Sequence, residues 1–343
     1  MQKIIKQINA TMIAAQRVLI FSHTLPDGDA LGSSTALCRA LRLCGKQAYV
    51  ITEEEIARNL RFLDADGYCV RTDGNEEPTE FFARLFDGEM PDLGMMLDCG
   101  EYSRIEKRAP LFKAISQTIC IDHHSTSEGI ADLNLIDPKR AAVGEMVYLI
   151  LRDLEDTIGK VLIDKKVCEA LYAAIATDTG NFQYSNTTSE THEIVMEMMR
   201  RGFDHSKVCV EIYQSNTPEN LRIKSAIVAG MRLFAGGKAV ISYATQEMLA
   251  QVGARLDDTE GAVDQLRNIL GVEVAIFLKE LEDGRIKASL RSKNNVNVMQ
   301  VAAAFGGGGH VKAAGCSFFD TDIETVCAQL MDAVTAVLSE ETV

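Results

Sequence analysis

The sequence predicts an α/β domain with a mostly parallel sheet covered by helices, followed by a smaller α+β domain. Short continuous apolar runs alternate with helical patterns in the first half, as they do in parallel sheets buried on both faces. Beyond about residue 235, the predicted strands and helices no longer alternate regularly. The chain has 343 residues, enough for two domains at roughly 100–200 residues each.

The first half reads as an amphipathic helix that runs into a strand, after which strand and helix patterns alternate. Strands are predicted at 18–22, 47–52, 93–97 and 117–121. Helices are predicted at 29–45, 79–86, 109–115, 142–154, 166–180 and 189–202. Gly45 and Gly202 follow helical patterns at positions where glycine commonly ends a helix.

The domain boundary is predicted between residues 215 and 236. Residues 1–215 form the first domain, 216–235 a connecting helix within a helical pattern over 219–237, and 236–343 the second domain. In the second domain, strands are predicted at 238–244, 273–281 and 285–292, and helices at 261–270, 297–305 and 322–338.

Bulk properties exclude several classes of protein. The net charge of −14 argues against a general nucleic-acid coat, which needs a basic surface. Nine cysteines without a CxxC pair indicate reduced core thiols and a cytoplasmic protein. No apolar stretch reaches the 18 or more residues of a membrane span, so we expect no membrane association.

Four groups of Asp and His follow predicted strands or helices. They are 23-HTLPDGD-29, Asp98 after the strand at 93–97, 122-DHH-124 after the strand at 117–121, and Asp178 at the end of a buried helix. Ligands bind open α/β sheets outside the carboxyl ends of their strands. Side chains from three strands therefore meet at one edge of the predicted sheet.

These residue types are typical of a site for two divalent metal ions. A donor set of imidazoles and carboxylates suits Mn²⁺ better than Zn²⁺, which often has thiolate ligands. Mg²⁺ is an alternative. Four carboxylates, Asp27, Asp29, Asp98 and Asp178, would repel one another without cations. Taken singly, Pro-Asp-Gly-Asp is also ordinary turn chemistry, and Asp98 or Asp178 could cap a helix. Together the groups predict a metal pair that acts on a phosphate ester.

A glycine run in the second domain predicts contact with a nucleotide. Gly307, Gly308 and Gly309 precede His310, and Arg291 lies nearby in sequence. Glycine lets backbone N–H groups approach a phosphate closely. The alternative is a flexible hairpin turn.

These motifs resemble the DHH phosphoesterase superfamily, and 289-SLRS-292 with 306-GGGGHVKAAG-315 resembles its DHHA1 C-terminal domain. The resemblance implies that His23 and Asp27 bind one metal ion, that Asp29, His123 and Asp178 bind the other, and that Asp98 bridges them. It implies that His124 approaches the scissile phosphate while Asp122 orients an imidazole. Arg104 is a candidate phosphate contact, with a surface arginine as the alternative. The implied substrate contacts in the second domain are Arg291, Gly307, Gly308, Gly309 and His310.

Among DHH proteins, the chain most resembles oligoribonucleases and pAp phosphatases of the NrnA type. The resemblance implies a Mn²⁺-dependent phosphoesterase that hydrolyses short RNA to mononucleotides and acts on pAp. A hydrolase of cyclic di-AMP or pApA is an alternative, and so is a nucleotide-binding regulator without catalysis. An inorganic pyrophosphatase is disfavoured, because those relatives carry a different C-terminal domain. The oligomeric state stays open, with a homodimer among the alternatives.

Overall fold

The computed structural model describes residues 1–340, which form two compact units, one of residues Met1–Ser215 and one that starts at Asn216. The strands of the first unit are β1 (Arg17–Phe21), β2 (Gln47–Thr52), β3 (Cys69–Arg71), β4 (Leu93–Leu97), β5 (Thr118–Asp122) and β6 (Leu133–Ile136). Its helices are α1 (Gln2–Ala14), α2 (Gly28–Leu43), α3 (Pro78–Leu85), α4 (Ala109–Lys113), α5 (Val143–Ile158), α6 (Lys165–Asp178), α7 (Ser189–Arg200) and α8 (His205–Tyr213).

All six strands of the first unit are parallel, in the order β3-β2-β1-β4-β5-β6. Alternate residues of β1 point to opposite faces: Ile20 packs with α2, α5 and α6, whereas Leu19 and Phe21 pack with α3 and α4. The prediction of a parallel sheet covered on both faces is confirmed. The sequence did not predict β3 and β6, since runs of three and four residues are too short to show a period.

The order of the strands fixes where a ligand can bind. The chain runs outward from β1 to β3 on one side and from β4 to β6 on the other, so the direction reverses between β1 and β4. Open α/β sheets bind ligands outside the carboxyl ends of their strands at such a point. The ends of β1, β4 and β5 lie side by side there.

Two glycines let α2 pack closely against α6. A Cβ atom on Gly28 would lie 2.4 Å from Thr177 Oγ1, and one on Gly32 would lie 2.5 Å from the Ala170 carbonyl. Larger residues at either position would push the helices apart. The close contact brings the start of α2 next to the end of α6.

The second unit contains a mixed sheet in the order β11-β12-β10-β9-β8-β7, with β8 and β9 parallel and the other neighbours antiparallel. Its strands are β7 (Arg232–Phe234), β8 (Ala239–Ala244), β9 (Val274–Glu280), β10 (Ile286–Ser292), β11 (Gly308–His310) and β12 (Ala313–Phe318). Its helices are α9 (Pro218–Ala229), α10 (Gln246–Val252), α11 (Ala262–Arg267), α12 (Val298–Ala304) and α13 (Ile323–Glu340). Helices α9–α11 cover one face of the sheet, and α12 and α13 cover the other.

One local prediction for the second unit was wrong. The helical pattern over 219–237 gives a helix that ends at Ala229, because residues 232–234 pair with β8 as an edge strand. The glycine run lies partly in one strand of a hairpin, since Gly308 to His310 pair with Ala313 to Gly315.

Candidate metal centre

His23 follows β1 and points its Nε2 atom at two carboxylates. Its Nδ1 lies 2.8 Å from the Thr24 carbonyl oxygen, which can only accept, so Nδ1 carries a proton and Nε2 is the ring nitrogen that faces the carboxylates. Nε2 lies 3.8 Å from Asp27 Oδ1 and 3.5 Å from Asp98 Oδ2. The Thr24 N–H donates to the Arg104 carbonyl at 2.8 Å, which anchors this turn. His23 is therefore prepared to ligate a cation through Nε2.

Asp27 and Asp29 lie at the start of α2 and are held by backbone N–H groups. Asp27 is the N-cap, and its Oδ1 accepts from the N–H groups of Asp29 and Ala30 at 3.0 Å each. Asp29 is buried and accepts from the N–H groups of Val143 and Gly144, at 2.6 and 2.9 Å, at the start of α5. A helix N-terminus favours such a negative group. Both carboxylates are thus fixed in orientation.

Asp98 lies directly after β4 and between the two imidazoles. Its φ of 60° is left-handed, which is uncommon for a residue other than glycine and is typical of functional sites. Its Oδ2 lies 3.5 Å from His23 Nε2, and its Oδ1 lies 3.5 Å from His123 Nε2. Oδ1 is buried and accepts no hydrogen bond from residues 1–340. An orphaned buried oxygen needs a partner, and a cation would supply one.

The Asp122-His123-His124 motif leaves the end of β5. His123 Nδ1 lies 3.1 Å from the Arg140 carbonyl, so Nδ1 carries a proton and Nε2 is the ring nitrogen that faces the carboxylates. That atom lies 3.4 Å from Asp178 Oδ2 and 4.0 Å from Asp29 Oδ2. His124 instead donates from Nδ1 to Asp122 Oδ1 at 2.7 Å, which fixes the ring. Nδ1 of His123 thus pairs with a backbone carbonyl and Nδ1 of His124 with a carboxylate, while both rings also have a nitrogen near Asp98 Oδ1, at 3.5 and 3.6 Å.

The electrostatics of the cluster favour a bound cation. Burial raises the pKa of Asp29 far above its usual range, and repulsion from Asp98 and Asp178 adds to the effect. Burial, with Asp27 and Asp98, raises the pKa of Asp178 to about 7. Burial opposes the charged form of His23, yet contacts with Asp27 and Asp98 outweigh it and raise its pKa to about 10. The crowded carboxylates repel one another in a way that divalent ions would relieve.

Among the groups of side chains that could hold a cation, two overlap at Asp98. Within each set the donor atoms lie within 4.8 Å of one another: His23, Asp27 and Asp98 form one set, and Asp29, Asp98 and His123 form the other. Asp178 adjoins the second set through its 3.4 Å contact with His123. Asp98 belongs to both. The residues fit a pair of divalent ions, with carboxylate oxygens and imidazole nitrogens as donors.

Comparison with known proteins identifies the family. The DHH family N-terminal domain matches residues 17–175, and the DHHA1 domain matches residues 236–340. The chain is 31% identical over 317 residues to the bifunctional oligoribonuclease and PAP phosphatase NrnA of Thermus thermophilus, across 92% of this chain and 89% of that protein. This chain belongs to the DHH family. The resemblance predicted from its motifs is confirmed.

Two further relatives of this DHH protein extend over nearly its whole length. The bifunctional oligoribonuclease and PAP phosphatase NrnA of Bacillus subtilis is 26% identical over 320 residues, across 91% of this chain and 95% of that protein. The crystal structure of an exopolyphosphatase-related protein from Bacteroides fragilis has a TM-score of 0.88 and 26% identity, across 99% of this chain and 98% of that chain. No helix within residues 1–340 has the length and apolar character needed to cross a membrane.

In the DHHA1 domain, the structure brings Arg291 and His310 onto one face of the sheet. Both pair directly with Ala313, from β10 and β11 on its two sides, and directly paired residues point to the same face. Gly307 has a packing role, because a Cβ there would lie 2.1 Å from the Gly315 carbonyl. Gly308 has open space around it, and Gly309 has a φ of 135° that favours glycine. In the DHH domain, Arg104 is exposed on the turn after Asp98.

The sequence did not predict two residues that support the candidate ligands, Glu145 and Asn186. Glu145 is buried in α5, and its position within the apolar run 142-AVGEMVYLIL-151 was a usable signal, since buried charges are rarely without a partner. Asn186 lies in the turn after α6, and no motif or periodic pattern in the sequence around it indicates its role.

Proposed function

We propose that this DHH protein is a two-metal phosphoesterase that hydrolyses short RNA oligonucleotides to mononucleotides and pAp to AMP and phosphate. The observation that carries the proposal is the position of Asp98, with one carboxylate oxygen toward each of two candidate ligand sets. The relatives in Thermus thermophilus and Bacillus subtilis are named for oligoribonuclease and PAP phosphatase activity, which supports the choice of substrates.

His23 and Asp27 would hold one ion, Asp29, His123 and Asp178 the other, and Asp98 both. When bound, such an ion pair activates a water molecule and stabilises the attacking and leaving oxygens of a phosphate. The Nδ1–H groups of His23 and His123 donate to carbonyl oxygens, which leaves each Nε2 as the nitrogen that would ligate an ion in place of a proton. Mn²⁺ is the ion we propose, because the donor set mixes oxygen and nitrogen without cysteine.

His124 is suited to contact the scissile phosphate. Asp122 holds its Nδ1 at 2.7 Å, and contact with Asp122 raises the His124 pKa although burial opposes the charged form. A protonated imidazole can donate a charge-assisted hydrogen bond to a phosphate oxygen or give a proton to the leaving group. Asp122 therefore fixes the ring and favours its charged form.

Substrate capture is assigned to basic residues and backbone groups. Arg291 and His310 share one face of the DHHA1 sheet, where an arginine fork and an imidazole suit phosphate oxygens. Gly308 and Gly309 in the adjoining strand are the backbone candidates, because the Gly307 N–H already donates to the Ala302 carbonyl at 2.9 Å, and Arg104 offers a further phosphate contact in the DHH domain. A cytoplasmic location stays a prediction from the cysteine pattern.

The experiment is a product-resolved panel on the purified protein with Mn²⁺. RNA oligomers of 2 to 24 nucleotides, pAp, pApA and cyclic di-AMP would be incubated with the wild type and with Asp98→Asn, which removes charge at nearly constant volume. We expect mononucleotides from the shortest RNAs and AMP from pAp, with no product from the variant. Turnover of cyclic di-AMP alone would reject the proposal in favour of a cyclic di-AMP hydrolase. Turnover of no substrate at all would reject it in favour of a nucleotide-binding regulator without catalysis.

A further inference from the structure

The segment 140–145, which leads from the loop after β6 into the first turn of α5, contacts the ligands of one candidate ion and supports them as a group. The N–H groups of Val143 and Gly144 donate to Asp29 at 2.6 and 2.9 Å. The Arg140 carbonyl accepts from His123 Nδ1 at 3.1 Å. One turn of the chain therefore sets both the orientation of a carboxylate and the tautomer of an imidazole.

The third ligand of the same set is tied to this segment through Asn186. The Asn186 side-chain amide donates to the Ala141 carbonyl and to the Asp178 carbonyl, at 3.1 Å each. By contrast, His23 and Asp27 are held within their own turn, by the Thr24 carbonyl and by the N–H groups of residues 29 and 30. The two ligand sets thus rely on different parts of the chain.

Glu145 holds this segment in place. Its carboxylate is buried, with Oε1 accepting from the Thr191 hydroxyl at 2.6 Å and Oε2 accepting from the Ala141 N–H at 3.3 Å. Arg140 Nη1 lies 3.8 Å from the same Oε2. Because a buried carboxylate is unfavourable unless it is paired, Glu145 stabilises the turn only in a geometry that satisfies both oxygens.

We propose that Glu145 is a positioning residue that selectively organises the ion site formed by Asp29, His123 and Asp178. The inference rests on the two-metal centre of the proposed function and adds an unequal dependence of the two ions on one buried side chain. Without Glu145 the Ala141 N–H and the Thr191 hydroxyl lose their acceptor, and the turn that orients three ligands is free to shift. Partners behind metal ligands typically contribute about 10–100-fold in metal affinity.

The test is a titration of the metal-free, full-length protein with Mn²⁺, followed by the electron paramagnetic resonance signal of the free ion. The wild type should bind two ions. Glu145→Ala should bind one ion with wild-type affinity and the other about 10–100-fold more weakly. Thr191→Val should weaken the same ion through an independent change, because it removes the hydroxyl that pairs with Oε1.

Two further variants separate positioning from folding. In Glu145→Gln the amide oxygen can accept from Ala141 and the amide N–H can donate to the Thr191 oxygen, so binding of both ions should be largely restored. Glu155→Ala is the matched control on the same helix, since Glu155 pairs with Arg201 at 2.8 Å and with the N–H groups of residues 162 and 163. It should bind both ions as the wild type does.

Unchanged binding in Glu145→Ala, or equal weakening of both ions, would overturn the selective role. If Glu145→Ala fails to fold, as judged by circular dichroism, Thr191→Val and Glu145→Gln decide the question by the same titration. A wild-type protein that binds fewer than two ions would instead reject the two-metal function on which the inference rests. The titration needs no substrate, so it separates these failures from an error in the choice of substrate.

Discussion

The two units of this DHH protein present opposite chemistry on their sheets. The first gathers Asp27, Asp29, Asp98 and Asp178 with imidazoles at the carboxyl edge of a parallel sheet, while the second places Arg291 and His310 on one face of three antiparallel strands. Carboxylates attract cations, and arginine with backbone N–H groups attracts phosphate. A chain with a net charge of −14 can thus bind an anionic substrate where cations or a few basic groups offset its overall negative charge.

Metal removal should have the largest effect, and it tests whether the carboxylates of the first unit serve to bind cations. Dialysis against EDTA should abolish hydrolysis of every substrate, because no other group in the first unit is proposed to activate water. Mn²⁺ should restore activity better than Zn²⁺, as measured by initial rates after metal addition. Full activity in a rigorously metal-free preparation would show that the carboxylates serve another purpose.

The second largest effect is expected from Asp98→Ala. The loss of the shared ligand should lower kcat by at least about 100-fold, or about 2.7 kcal/mol, on short RNA and on a small artificial phosphodiester alike. Circular dichroism should show an unchanged fold. A variant that keeps more than about a tenth of the wild-type kcat contradicts the bridging role.

Changes in the second unit should discriminate between substrates. Arg291→Ala or His310→Ala should lower kcat/KM on short RNA by about 10–100-fold, since a charged hydrogen bond to phosphate contributes roughly 1.5–3 kcal/mol. Hydrolysis of a small phosphodiester should change little, because it lacks the remote groups that these residues would bind. Arg285→Ala is the matched control, as Arg285 pairs with Asp283 at the surface. Equal losses on both substrates would contradict the proposal that the first unit carries out the chemistry and the second binds the substrate.

The smallest effect separates packing from binding within the glycine run. Gly307→Ala should lower the free energy of unfolding by about 1–3 kcal/mol, because its Cβ would meet the Gly315 carbonyl at 2.1 Å. Gly308→Ala, with open space around it, should leave the unfolding temperature nearly unchanged. Thermal unfolding of both variants is the measurement. Equal destabilisation would mean that Gly308 is also a packing residue.

The candidate ligands could be predicted from the sequence because each follows an element with a clear local pattern. His23, Asp98 and Asp122 come just after apolar runs, and the ends of parallel strands meet at one edge. Several of the strands that the sequence did not predict are short: β3, β6, β7 and β11 have three, four, three and three residues. Such strands form because a longer neighbour supplies hydrogen-bond partners, which local periodicity does not record. The helices α8 and α10 and the strand β12, with nine, seven and six residues, were also not predicted.

The sequence by itself determined the parallel sheet, the types of ligand and their position at the ends of elements, since these depend on residues that are neighbours in the chain. Only the tertiary structure decided which side chains share an ion and what holds them. Asp29 accepts from Gly144, 115 residues away, and Asn186 joins Ala141 to Asp178. Such contacts follow from the close packing of α2, α5 and α6. The geometry of that packing depends on the side chains of the whole core, so no single segment of the sequence determines it.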